Sequence, residues 1–327
     1  MLLAGVVFAL ASAAVFLDAH AVSTLLVARV LSGLSAGIFT GTATAAVIEA
    51  APENWHTRAT AVATVANMGG LGLGPLLAGL LVEYAPAPLH LSFIVHMVLA
   101  VLAGAAVLVV PETSQRTGKI GVQRLSVPAE VRTMFVIAGL AAFAGFAVTG
   151  LFTAVAPSFL SQVVGITNHA VAGLIAGTLF AASALAQVTA SGLAPQRAVA
   201  IGCAILIAGM VVLAVALHFS SLTGLIAAAV VSGVGQGISF SRGLAAVAEL
   251  TPPDCRAEVS SSYFVVAYVA ISLPVLGEGL AAHRWGLQVA GVSFAIAVAV
   301  LSTICLVAIL VEESRESHAE PATTRTG

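Results

Sequence analysis

Charge is scarce in this chain. Only 8% of its 327 residues are Asp, Glu, Lys or Arg, against about a quarter in a soluble globular chain, which excludes a domain surrounded by water. Cysteine is nearly absent as well. Two of the three, Cys203 and Cys305, sit inside apolar runs and Cys255 lies between runs, so no pair has the spacing for a disulfide or a metal site. The net charge of -2 provides no basic surface for nucleic acid. An integral membrane enzyme would need a constellation such as a zinc-binding His-Glu-x-x-His, and no such motif occurs in the sequence. No cofactor is expected.

What the chain has instead is apolar length. It is 60% hydrophobic with mean hydropathy +1.09, and runs of roughly 20 apolar residues, the length a bilayer requires, recur from end to end. Ten spans are predicted, at 2–18, 22–49, 58–82, 90–110, 133–160, 169–191, 198–219, 222–249, 258–282 and 287–311. The first could be a signal peptide ending at Ala11-Ser12-Ala13, but it lacks a basic leading segment and runs directly into the next span. Arg58, Arg116, Lys119, Arg124, Arg132, Arg197, Arg256, Arg315 and Arg325 fall on one side of the membrane and Arg284 on the other. By the positive-inside rule both termini are cytoplasmic, as expected of a multi-pass protein of the cell membrane.

The chain also repeats itself. The segment Leu31-Ser32-Gly33 through Glu49 returns 200 positions later as Val231-Ser232-Gly233 through Glu249, reproducing Gly37, Ile38, Ala45, Ala46 and Val47. Repeated sets of membrane helices mark transporters. The expected organisation is an incomplete N-terminal half of four helices (1–110), a basic linker (111–132), a C-terminal half of six helices (133–311) and a polar, disordered cytoplasmic tail (312–327). Aligned at the repeat, spans 133–160 and 169–191 have no partner, so the first half is short by about 70 residues.

Two glycine patterns stand out. Arg29 is followed at steps of four by Gly33, Gly37 and Gly41, nearly on one helix face. Small residues at that spacing let two backbones approach closely in lipid. Arg29 costs about 2.5 to 3.5 kcal/mol at a helix centre, so it faces protein or a wet cavity, or snorkels to the surface. The third span carries Gly69, Gly70, Gly72, Gly74, Pro75 and Gly79 within eleven residues, a thin helix that accepts a tight neighbour and bends at proline.

These residues resemble the major facilitator superfamily, and within it the drug:proton antiporters. Arg29, Gly33 and Gly37 resemble the fourth-helix motif associated with proton transfer. Gly70, Gly74, Pro75 and Gly79 resemble the fifth-helix antiporter motif, with Ala78 in place of one glycine. The resemblance implies an all-α integral membrane fold, a two-half helix bundle in which this chain supplies helices three to twelve of twelve. The family's first two helices and the charged loop after them have no match. The equivalent loop in the second half, Ser191 to Arg197, is a faint echo of it, which implies a cytoplasmic charge network of Glu49, Arg58, Arg197, Glu249 and Arg256, with Glu249 meeting Arg197 or Arg256.

The acids place no carboxylate at mid-membrane: Asp18, Glu83 and Glu278 fall at outer ends and Glu49 and Glu249 at inner ends. Candidate groups for a substrate cavity are Asn67, Phe143, Phe146, Gln187, Gln236, Phe240 and Arg242. An intramembrane Gln can equally bond a neighbouring helix, and Arg242 can equally snorkel inward. The expected function is proton-coupled efflux of small amphiphilic compounds by a monomer. An inactive remnant and an uptake carrier are the alternatives.

Overall fold

A computed structural model describes residues 1–109, 125–252 and 254–319; most of the expected linker, the last eight residues and the side chain of Glu49 lie outside that set. The described residues form helices and no strand. The helices are α1 (Leu2–Leu17), α2 (Val22–Glu49), α3 (His56–Tyr84), α4 (Pro88–Val109), α5 (Arg132–Ala154), the short α6 (Ala156–Phe159), α7 (His169–Thr189), α8 (Pro195–His218), α9 (Leu222–Leu250), α10 (Arg256–Trp285) and α11 (Leu287–Ala319). Nine of those described are long and apolar enough to cross a bilayer. The apolar α1 has only 16 residues, short of the roughly 20 a span needs, so the expected ten spans become nine and one shorter helix.

Local chemistry explains many of the boundaries. Asn168 caps α7 by accepting from the Val171 N–H at 3.2 Å, and Ser221 caps α9 through the Gly224 N–H at 3.1 Å, each satisfying a donor that the first helical turn leaves unpaired. Pro195 opens α8, where its missing N–H costs nothing. Gly286, at φ 86°, ends α10 in a conformation that side chains resist. The expected span 133–160 is in fact interrupted. It stops at Val155 and restarts as α6, because Pro157 has no N–H to give the Thr153 carbonyl; a π turn at Leu160–Val164 then ends on Gly165 at φ 78°. The polar tail is also corrected at its start, since α11 continues past Glu312 to Ala319.

The fold divides into two compact units, Met1–Ile120 and Gly121–Gly327. The duplication is visible in their internal pairings. In the first, α1 packs on α2 and α4, and α3 on both of those; in the second, α8 packs on α9 and α11, and α10 on both of those. Against α9 the second unit adds α7 and α5, neither of which has a counterpart in the first.

Small residues set the close contacts of the second unit. Gly202 and Gly209 on α8 lie against Ser239 and Ser232 on α9, where an added Cβ would come within 2.8 and 3.0 Å of the serine backbone nitrogens. Both pairs are seven residues apart, two turns of helix, so one seam runs the length of the contact. On the opposite side of α9, Gly233 lies against the Leu179 carbonyl and Gly237 against the Ser183 carbonyl of α7. Gly150 brings α5 onto α10, with a hypothetical Cβ only 2.7 Å from the Ile271 carbonyl oxygen.

Candidate functional site

In the first unit Arg29 sits two turns into α2 and is exposed. Its guanidinium lies over the Phe16 ring of α1 at 5.6 Å, and that ring stacks on Phe93 of α4 at 4.9 Å. A cation over an aromatic face is worth about 0.5 to 1 kcal/mol where water reaches it, which lowers the cost of an arginine at this depth. Among the described residues, five of these glycines lack the expected tight neighbour. A Cβ added at Gly33, Gly37, Gly69, Gly70 or Gly74 would meet no atom within 4 Å. For Gly33 and Gly37 the reason lies in the repeat: α7 fills the equivalent face of α9, and the first unit has no helix equivalent to α7. Gly79 is buried, Asn67 is half-buried, and Pro75 lies inside the continuous α3.

Where the chain turns from α2 into α3, Arg58 stacks on Trp55 at 5.2 Å. In the second unit the charge network differs from the expected one. Arg197 meets Glu313 of α11 at 3.3 Å, and the Arg256 Nε donates to the Thr251 carbonyl at 3.2 Å. Glu249 is exposed and lines, with Arg197 and Glu313, a cleft of about 730 Å³ among the ends of α8, α9 and α11. The helical extension of α11 carries Glu313 to Arg197. The Arg197 side chain is 79% exposed, and a pair that open contributes at most about 1 kcal/mol.

The amides and aromatics of the second unit are engaged in packing. Gln236, 2% exposed, accepts from the Ser183 hydroxyl at 2.6 Å, and Gln187 donates to the same hydroxyl oxygen at 3.1 Å. One serine thus joins the two expected cavity amides of this unit, holding α7 to α9. Phe146 and Phe240 meet edge to face at 4.8 Å, and Phe240 stacks on Tyr263 at 5.7 Å. Phe143 packs at the margin of this cluster. Arg242 donates to the Ser191 carbonyl at 2.9 Å, securing the turn after α7.

Three residues of consequence escaped sequence reasoning, and a fourth was placed by it without its burial. Ser183 is the hinge pin of the amide pair, and Glu313 replaces Glu249 beside Arg197. Tyr263 is fully buried, with its hydroxyl 3.3 Å from the Ala138 carbonyl and 3.2 Å from that of Phe240. Glu278 lies seven residues before the end of α10, near the helix end where it was expected, but its surroundings were not foreseen. It is 4% exposed, and neither carboxylate oxygen has a hydrogen-bond partner among the described residues.

The cysteines give a direct check on this arrangement. Cys203 and Cys305 are buried, and Cys255 is partly exposed before α10. Desolvation, then the carboxylates of Asp254, Glu258 and Glu130, hold the Cys255 thiol above its ordinary range. Thiolate is the reactive form. Iodoacetamide should therefore give a single adduct, slowly at neutral pH and faster as the medium is made alkaline, read by intact mass; two or three rapid adducts would contradict the packing of α8 against α11.

A comparison with curated proteins finds no match. The family model of the Major Facilitator Superfamily matches the chain in two overlapping stretches, residues 1–273 and 137–326. Membership makes the protein a multi-pass secondary transporter of small molecules, a class to which the repeated helix pairings conform. The chain belongs to the Major Facilitator Superfamily.

Proposed function

We propose that this transporter is a proton-coupled exporter of small amphiphilic compounds, working by alternating access as a monomer in the cell membrane with both termini in the cytoplasm. The observation that carries the reading is the pair of motifs on consecutive helices, Arg29 with Gly33 and Gly37 on α2, and Gly70, Gly74, Pro75 and Gly79 on α3. Pro75 removes a backbone bond within α3 and the flanking glycines carry no side chain, so this helix can bend as the cavity changes sides. Half-buried Asn67 and Phe143 offer an amide and an aromatic face to a substrate. Gln187 and Gln236 would exchange Ser183 for substrate, Phe146 and Phe240 would form the wall behind them, and Arg242 would close the cytoplasmic end.

The test is transport of ethidium, a lipophilic cation, in vesicles of purified protein under an imposed pH gradient. Dye should move against the proton flow, and Arg29→Ala should abolish the movement. Dye flux indifferent to both the gradient and Arg29 would refute the coupling. Dye carried in the same direction as protons would favour an uptake carrier.

A further inference from the structure

Glu278 lies on α10 seven residues before Trp285, about 10 Å from the outer end of the helix at 1.5 Å per residue. The contacts of α10 with α5 fix where its side of the helix points. The Tyr263 hydroxyl reaches Ala138, Gly139 faces Val266, and Gly150 faces Ile271 and Val275. The two helices therefore run in the same direction. Glu278 follows Ile271 by seven residues and Val275 by three, on the same face, so this register brings it level with the end of α5 and the break at Val155–Pro157.

The helix is built unusually around this residue. Pro274, inside α10 one turn inward, withholds the N–H that the Ala270 carbonyl would receive. Gly277 and Gly279 flank Glu278, and a Cβ added at either would meet nothing within 4 Å. The packed surface at this level is thus the Glu278 face alone. Among the described residues, the helices packed against α10 supply no charge at this level. The only ionisable residue of α5 is Arg132, at its inner end; those of α9 are Arg242 and Glu249, also inward; the first on α11 is Cys305, 18 positions beyond Leu287. On α10 itself Tyr263 and Tyr268 lie inward, and His283 and Arg284 are exposed and point to other faces. A carboxylate at this depth would be an uncompensated charge, which the apolar interior penalises.

The geometry points to Glu278 as a proton-binding site. In this conformation it is the carboxylic acid. When the seam between α5 and α10 opens at its outer end, with α10 flexing at Pro274, the O–H bond breaks, the electron pair stays on the carboxylate and the proton passes to water. Assigning that proton to transport rests on the proposed coupling; the binding site itself does not.

The experiment uses the full chain in vesicles of phosphatidylethanolamine and phosphatidylglycerol, with infrared difference spectra recorded between acid and alkaline medium. The wild type should lose a carboxylic-acid C=O band as the medium becomes alkaline. Glu278→Gln, the isostere of the neutral acid, should lack that band, and Glu278→Asp should shift it. Identical spectra for wild type and Glu278→Gln, or no acid band in the wild type, would overturn the site, and the Asp variant decides if the Gln variant does not fold. In the same vesicles Glu278→Gln should keep ethidium exchange and lose accumulation driven by the pH gradient. A band that titrates in a wild type showing no gradient-driven transport would leave the site standing and remove the coupling. Gradient-driven transport undiminished in Glu278→Gln would remove Glu278 from it.

Discussion

Gly237→Leu is expected to separate α7 from α9 and to cost the protein its folded second unit. A side chain at that position has no room, because its first carbon would collide with the Ser183 carbonyl oxygen and stand 2.9 Å from the Ser183 Cα. The obstacle is backbone, which cannot rotate away as a side-chain tip would. Overpacking ordinarily costs about 1 to 3 kcal/mol, and here about 1 kcal/mol more follows from parting the Ser183–Gln236 hydrogen bond. The same substitution 200 positions earlier, Gly37→Leu, should change stability by less than about 0.5 kcal/mol, since open space lies beside it and leucine is the better helix former. Size-exclusion recovery after heating in detergent would read both. Equal losses in the two copies would show that the face of α2 is filled as tightly as that of α9.

The second large effect is expected at Tyr263. Truncation to alanine empties the centre of the cluster formed with Phe135, Phe240 and Phe264 and should cost about 3 to 5 kcal/mol. Tyr263→Phe keeps the ring and loses only the hydroxyl between the carbonyls of Ala138 and Phe240, at about 1 kcal/mol. The ratio between the variants is the test. A Phe variant as damaged as the Ala variant would mean that the hydroxyl, not the ring, holds α5, α9 and α10 together.

Hydropathy made the helices legible because it reports directly on where the chain must hide from water. The predicted 22–49 coincides with α2, and 222–249 falls one residue short of α9. The same signal is silent on backbone breaks inside an apolar run, so the interruption at Pro157 was missed although the proline was in plain sight. It also marks where a helix leaves the membrane rather than where it ends, so it could not show α11 continuing through Glu312 and Glu313. The motif around Arg29 was legible as a pattern but not as a contact, because the partner that makes such glycines useful lies on another helix. Tyr263 gave no signal at all: a tyrosine after three serines has nothing in its spacing to distinguish a surface residue from one that is fully buried.

The bonding of α9 has a mechanical consequence. On one side its glycines seat α7, with Ser183 joining Gln236 and Gln187 across the contact; on the other the seam of Gly202 and Gly209 seats α8. These three helices form a stiff plank. The pliable members lie at its margin, where α5 is broken before Pro157 and α10 carries Pro274. Deformation of this unit should concentrate there, as load concentrates at the soft end of a composite beam, and the acid at position 278 sits at the joint that bends.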